Sequence, residues 1–146
     1  MAEILEDELK TKQKRIWTRK WILRRGSHGA SVGLLRELES EGRIGYRSFL
    51  RMNTEQFDVL LRDIADKIQR SDTIMRDAIP AREKLQITLY FLATGNSFRS
   101  LQHPFRVRKA TISTFLPEVL DAIYHSLSDY IKVREITKYY NFIRCL

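Results

Sequence analysis

Apolar residues recur along this chain at spacings of three and four, the pattern of helices that each bury one face. Leu34, Leu35 and Leu38 form the first clear stripe and predict a helix from about Ser31 to Glu41, with Gly42 able to end it. Tyr46, Phe49, Leu50 and Met52 read as a short apolar turn. Asn53, with Gln56 three residues on, has the form of a capping box. Behind it Phe57, Leu60, Leu61, Ile64 and Ile68 make one buried face, leaving Arg62, Asp63, Asp66 and Lys67 outside. Ser71 to Ala78 is a polar linker. Pro80 suits the first turn of a helix near residues 81–94. Leu85, Ile87, Leu89, Tyr90, Phe91 and Leu92 make that helix apolar nearly all round, so it is the expected centre of a bundle, and Gly95 ends it.

Beyond Gly95 the elements shorten. Ser97 is placed to cap a helix near 97–103, with Phe98, Leu101 and Phe105 on its apolar side. Pro104 predicts a stop near Gln102, because a proline disfavours the α conformation in the residue before it. Phe105 to Arg108 is then a turn. Ile112, Phe115, Leu116, Val119, Leu120, Ile123 and Leu127 form the stripe of a longer helix near 109–128. Within it Pro117 removes a hydrogen bond at a cost of about 3 kcal/mol, which predicts a kink or a restart. The expected fold is all-α: a small helical bundle ending in a trihelical helix-turn-helix unit. Residues 1–45 read as a basic N-terminal arm and leader helix, 46–132 as the helical domain, and 133–146 as a tail with no clear period. Residues 2–10 are acidic and able to form a loose helix.

Composition adds a partner class. With 146 residues and 43% apolar content, one domain can bury about two-thirds of the surface of its unfolded chain. The net charge of +8 favours a polyanion, with nucleic acid the first candidate. Basic residues gather in two places. Lys10, Lys12, Lys14, Arg15, Arg19, Lys20, Arg24 and Arg25 follow one another without an acidic residue, interleaved with Trp17 and Trp21. Of these, Lys14, Arg15, Arg19 and Lys20 are candidate phosphate contacts, and the run also has the form of a nuclear import signal; a solvated face with both tryptophans docked on the core is the plainer alternative. The second cluster is Arg99, Arg106, Arg108 and Lys109. Beside it Thr111, Ser113 and Thr114 lie on the outward side of the long helix, where small and hydroxylated side chains let a helix enter a major groove. An ordinary helical hairpin with a basic face would share this pattern.

The same residues carry little else. Three histidines and one cysteine show no zinc-ligand spacing, the acidic residues read as solvated helix faces, and no glycine-rich phosphate loop is present. The chain is therefore expected to be no enzyme and to need no cofactor or small-molecule substrate. No stretch approaches the about 20 apolar residues of a membrane span, and the first residues lack the apolar core of a signal peptide. Cys145, the lone cysteine, excludes an intrachain disulfide and fits a reducing compartment. The nucleus is the expected site, or the cytoplasm without an import partner.

At its second half the sequence resembles a known family. PAREKLQITLYFLATGNSFRSLQ, followed by F-R-V-x-K-A-T-I-S-x-F-L-P-E-V-L-D-A-I, is similar to the N-terminal part of Harbinger-type (PIF/Harbinger) DDE transposases and their domesticated, nuclease-like relatives. Trp17, Trp21, Arg24, Arg25, Gly29, Leu34, Leu35, Glu37 and Leu38, then residues 49–52 and Phe57, Asp58, Leu60 and Leu61, resemble the family's leader, so that the likeness covers roughly residues 15 to 132. The resemblance implies that this region recognises DNA, and that a separate RNase H-like nuclease domain, with an acidic triad holding divalent metal, would follow it. The chain ends at Leu146, so a truncated or alternatively ended transposase is the expectation, without that domain. At Arg108 this chain departs from the small hydroxyl residue that more often caps the recognition helix; a lost cap costs about 1 kcal/mol.

Three functional readings follow. The first is a DNA-binding module gripping duplex DNA through Arg99, Arg106, Arg108, Lys109, Thr111, Ser113 and Thr114. The second is a helical protein-interaction module, since the resemblance implies a Myb-like protein partner. The third is a transposon fragment without a specific role.

Overall fold

Eight helices occupy the described residues of the computed structural model, 18–74 and 77–130, and no β-strand occurs among them. Two single-turn pieces, α1 (Lys20–Leu23) and α2 (Arg25–His28), make the leader. They precede α3 (Leu34–Glu41), α4 (Arg43–Leu50), α5 (Thr54–Ile68), α6 (Ala81–Thr94), α7 (Phe98–Phe105) and α8 (Lys109–Ser126). The fold is all-α, as the apolar spacing predicts.

Local signals account for several of the ends. The Asn53 N–H donates to Gln56 Oε1 at 3.2 Å at the start of α5, one half of the expected capping box. Ser97 Oγ accepts the Ser100 N–H at 3.3 Å at the start of α7. Gly95 takes the left-handed conformation, φ 64°, that a residue with a Cβ adopts at a cost, and closes α6.

Two boundaries differ from the sequence reading. Residues 46–50 are not a turn but the core of α4: Tyr46 and Leu50 are buried, and Phe49 stacks on Tyr90 of α6 with centroids 4.3 Å apart. Gly45 lies where α4 approaches α3, a Cβ there coming within 2.8 Å of Leu38 Cδ2 at the flexible end of that side chain. The second difference is α7, which runs through Pro104 to Phe105 and does not stop near Gln102. Burial of Leu101 and Phe105 on one face offsets the local cost of the proline. α8, as its unbroken apolar stripe predicts, runs as one helix across Pro117. The missing N–H of Pro117 falls opposite the Ser113 carbonyl, and both residues are exposed, so water can satisfy that oxygen.

The buried helix α6 holds the bundle together, packing against α4, α5, α7 and α8, while α5 also lies along α8. Even its polar residues Glu83, Lys84, Gln86 and Thr88 are buried. Lys84 Nζ donates to the Ile68 carbonyl at 2.6 Å, and burial lowers its pKa. Glu83 Oε2 pairs with Arg25 Nε at 3.2 Å, while its Oε1 is buried without a hydrogen-bond partner. Burial pushes the Glu83 carboxyl up and Arg25 pulls it part of the way back. Arg82 spans three helices, pairing at 2.9 Å with both Glu39 of α3 and Asp58 of α5 and lying 5.1 Å above the Phe57 ring.

Candidate nucleic-acid interface

α6, α7 and α8 form a three-helix unit in which α7 and α8 are joined by three residues, Arg106 to Arg108. Ile112, Phe115, Leu116 and Val119 of α8 are buried, together with Leu101 and Phe105 of α7. That burial sets the rotation of α8. Lys109, Ala110, Ser113 and Thr114 are consequently exposed on its first two turns, and Thr111 is half-buried. Arg99 is exposed on α7. No acidic residue precedes Glu118 on α8.

The start of α8 is capped in an unexpected way. Arg108 occupies the N-cap with extended backbone and offers no side-chain oxygen to the helix. Gln102 of α7 supplies one instead: its Oε1 accepts the Lys109 N–H at 3.1 Å. The hydroxyl absent at Arg108 is replaced by an amide from the preceding helix. No spacing rule in the sequence would have singled out Gln102.

Ser113 Oγ and Thr114 Oγ1 both donate to the Ala110 carbonyl, each at 2.9 Å. Their oxygens keep lone pairs directed away from the helix, able to accept from an exocyclic amino group, while Lys109 and Arg99 supply donors. The outer surface of α8 thus combines acceptors, donors and the small side chain of Ala110.

Arg106 has a different place. Its backbone is left-handed, φ 53°, and its guanidinium turns inward to the leader. Nε donates to the His28 carbonyl at 3.0 Å and Nη1 to the Trp21 carbonyl at 2.9 Å. The Ala30 N–H donates to the Pro104 carbonyl at 2.9 Å, and Trp21 stacks on His103 with centroids 5.9 Å apart. These contacts hold the leader against the end of α7, within a few residues of Lys109. Exposed Arg19, Lys20 and Arg24 are carried on that leader. Arg108 is half-buried and has a partner of its own. Lys14, Arg15 and Trp17 lie outside the described residues, as do the acidic N-terminal stretch and the tail from Ile131.

Among the described residues no cluster of three or more histidine, cysteine or carboxylate side chains is placed to hold a metal ion, and no helix is long and apolar enough to cross a membrane. A family model described as a domain of unknown function, DUF8040, matches residues 32–125, from just before α3 to the last turn of α8. No curated protein and no solved structure matches the chain.

Proposed function

The chain belongs to the DUF8040 family, whose description assigns no activity, and we propose that it is a binding module that grips duplex DNA through α7, the turn and α8. The observation that carries this reading is the opening of α8. Lys109, Ala110, Ser113 and Thr114 stand exposed there with no acidic residue nearby in the chain, on a helix whose rotation is set by its buried stripe. Small and hydroxylated residues at the N-terminal turns of such a helix suit approach to base edges, and cations around them suit phosphates. The net charge of +8 and the resemblance to Harbinger-type transposases support the same partner. On this reading the protein is transposase-derived and nuclear, and the nuclease chemistry with its divalent metal belongs to a domain other than this one.

Fluorescence anisotropy on mixed-sequence duplex DNA, from about 50 to 200 mM salt, tests the proposal. Affinity should fall by orders of magnitude across that range, as the entropy gained by releasing counterions shrinks. The double variant Arg99→Gln, Lys109→Gln removes two exposed cations and should reduce the log–log salt slope by roughly two. Arg106 is left intact, because changing it would release the leader. A folded chain that fails to bind at the lowest salt, or a double variant with the parental slope, refutes the assignment.

A further inference from the structure

Two non-glycine residues stand in left-handed backbone among the described residues, Arg51 (φ 59°) and Arg106 (φ 53°). A Cβ in this region carries a conformational cost, so the position after a helix commonly goes to glycine. At Arg106 the side chain explains the exception, since the guanidinium fastens two leader carbonyls. Arg51 follows α4 in the same way, its N–H donating to the Arg47 carbonyl at 2.8 Å. Its guanidinium, however, has no hydrogen bond or ion pair among the described residues. The same holds for Arg47, four residues earlier and therefore on the same side of the helix. Both are exposed, and Glu55, the acidic residue nearest to Arg51 along the chain, is itself engaged.

These two arginines line one open groove of about 600 Å³ together with Ile44, Ser48 and Asn53. The groove sits where the carbonyl end of α4 meets the amide end of α5. The partial charges of the two helix ends oppose one another there, which leaves the guanidiniums to set the sign of the field. Ser48 adds a hydroxyl and Asn53 an amide. Ile44, 87% exposed, puts an apolar surface beside them.

We infer that this groove binds a phosphate ester, with Arg47 and Arg51 on the phosphoryl oxygens and Ile44 against the organic substituent. Guanidinium pairs suit this ligand because their planar forks match phosphoryl oxygens two at a time. The site is separate from α8, as neither Arg99 nor Lys109 lines it, so it stands or falls independently of the DNA reading above. A phosphodiester in a nucleic-acid strand and a small phosphate monoester share this chemistry.

The test is an NMR titration at constant ionic strength, following the arginine Nε–Hε signals, with inorganic phosphate, a mononucleotide and a short single-stranded oligonucleotide as probes. The expected result is saturable shifts at Arg47 and Arg51, with the mononucleotide binding more tightly than inorganic phosphate. Arg47→Gln should weaken binding about tenfold or more, the loss expected for a hydrogen bond to a charged group. Arg51→Gly should weaken it comparably while raising the urea midpoint, because it removes the guanidinium and relieves the left-handed backbone together. That combination separates lost binding from lost folding. Displacement of the mononucleotide by the oligonucleotide would identify a strand phosphate as the natural occupant, and failure to displace it would identify a small ester. Shifts that never saturate, or parental affinity in Arg51→Gly, would overturn the inference.

Discussion

Arg106 offers the sharpest test of how the leader is joined to the helical unit. Removing its side chain in Arg106→Ala deletes two charge-assisted hydrogen bonds, to Trp21 O at 2.9 Å and His28 O at 3.0 Å. Such bonds contribute roughly 1.5–3 kcal/mol each when shielded, but the one to His28 is exposed and the other part-buried. Taking about 1.5 kcal/mol for the part-buried bond and about 0.5 kcal/mol for the exposed one predicts a loss near 2 kcal/mol. Alanine leaves the left-handed backbone as costly as before, since it keeps the Cβ. Glycine removes that cost, worth roughly 1 kcal/mol, so Arg106→Gly should lose only about half as much as Arg106→Ala. Lysine brings one compact ammonium and cannot serve two separated carbonyls as a fork does, so it should fall between the parent and alanine.

Urea unfolding followed by circular dichroism gives the three stabilities, with the m-value as a check that the unfolded surface is unchanged. Hydrogen exchange at the Ala30 amide, which donates to the Pro104 carbonyl, reports on the leader separately. That amide should exchange faster in Arg106→Ala than global unfolding alone explains. An unchanged midpoint in the alanine variant would refute the latch, and glycine proving worse than alanine would refute the backbone argument.

Two further outcomes follow from the charged residues of α6. The raised carboxyl of Glu83 means that the folded chain holds this proton to higher pH than the unfolded chain, so its contribution is greatest below the ordinary glutamate range and falls as pH rises through that range to the raised folded value. Stability of Glu83→Gln relative to the parent should therefore improve as pH is raised from about 4 to 7, the span in which an elevated glutamate titrates; a difference in urea midpoint that stays constant across that span would contradict the assignment. Arg82→Ala removes two half-exposed ion pairs and a cation–π contact, which together predict a loss of about 1–2 kcal/mol once solvent screening is allowed for. Raising salt to about 1 M, where the screening length is only 3 Å, should shrink the gap between that variant and the parent.

What the sequence discloses and what it conceals divide by the range of the interaction. The caps at Asn53 and Ser97, the end of α6 at Gly95 and the buried stripe of α8 depend on neighbours within a turn or two, and periodicity reveals them. α4 is too short for periodicity to show, and what fixes it is the burial of Tyr46 and Leu50 and the stacking of Phe49 on Tyr90, far along the chain. The burial of Glu83 is equally opaque, since Arg25 lies far upstream in the chain.

The basic residues near α8 divide in the same way. A run of arginines with no acid among them reads as one cluster, yet the structure separates its members by what lies behind each. Arg99 and Lys109 are exposed to solvent, Arg106 holds carbonyls 78 and 85 residues away, and Arg108 is half-buried at the N-cap of a helix that Gln102 caps. Charge counted along a sequence overstates the cations available to a partner wherever a guanidinium also serves as an internal cross-link. The two left-handed arginines make the distinction concrete. Both occupy a backbone that glycine would fill at lower cost, but among the described residues only Arg106 has an internal partner to offset it. A site that keeps the side chain at such a cost without an internal partner is the place to look for an external one, and Arg51, with Arg47 beside it, is that site.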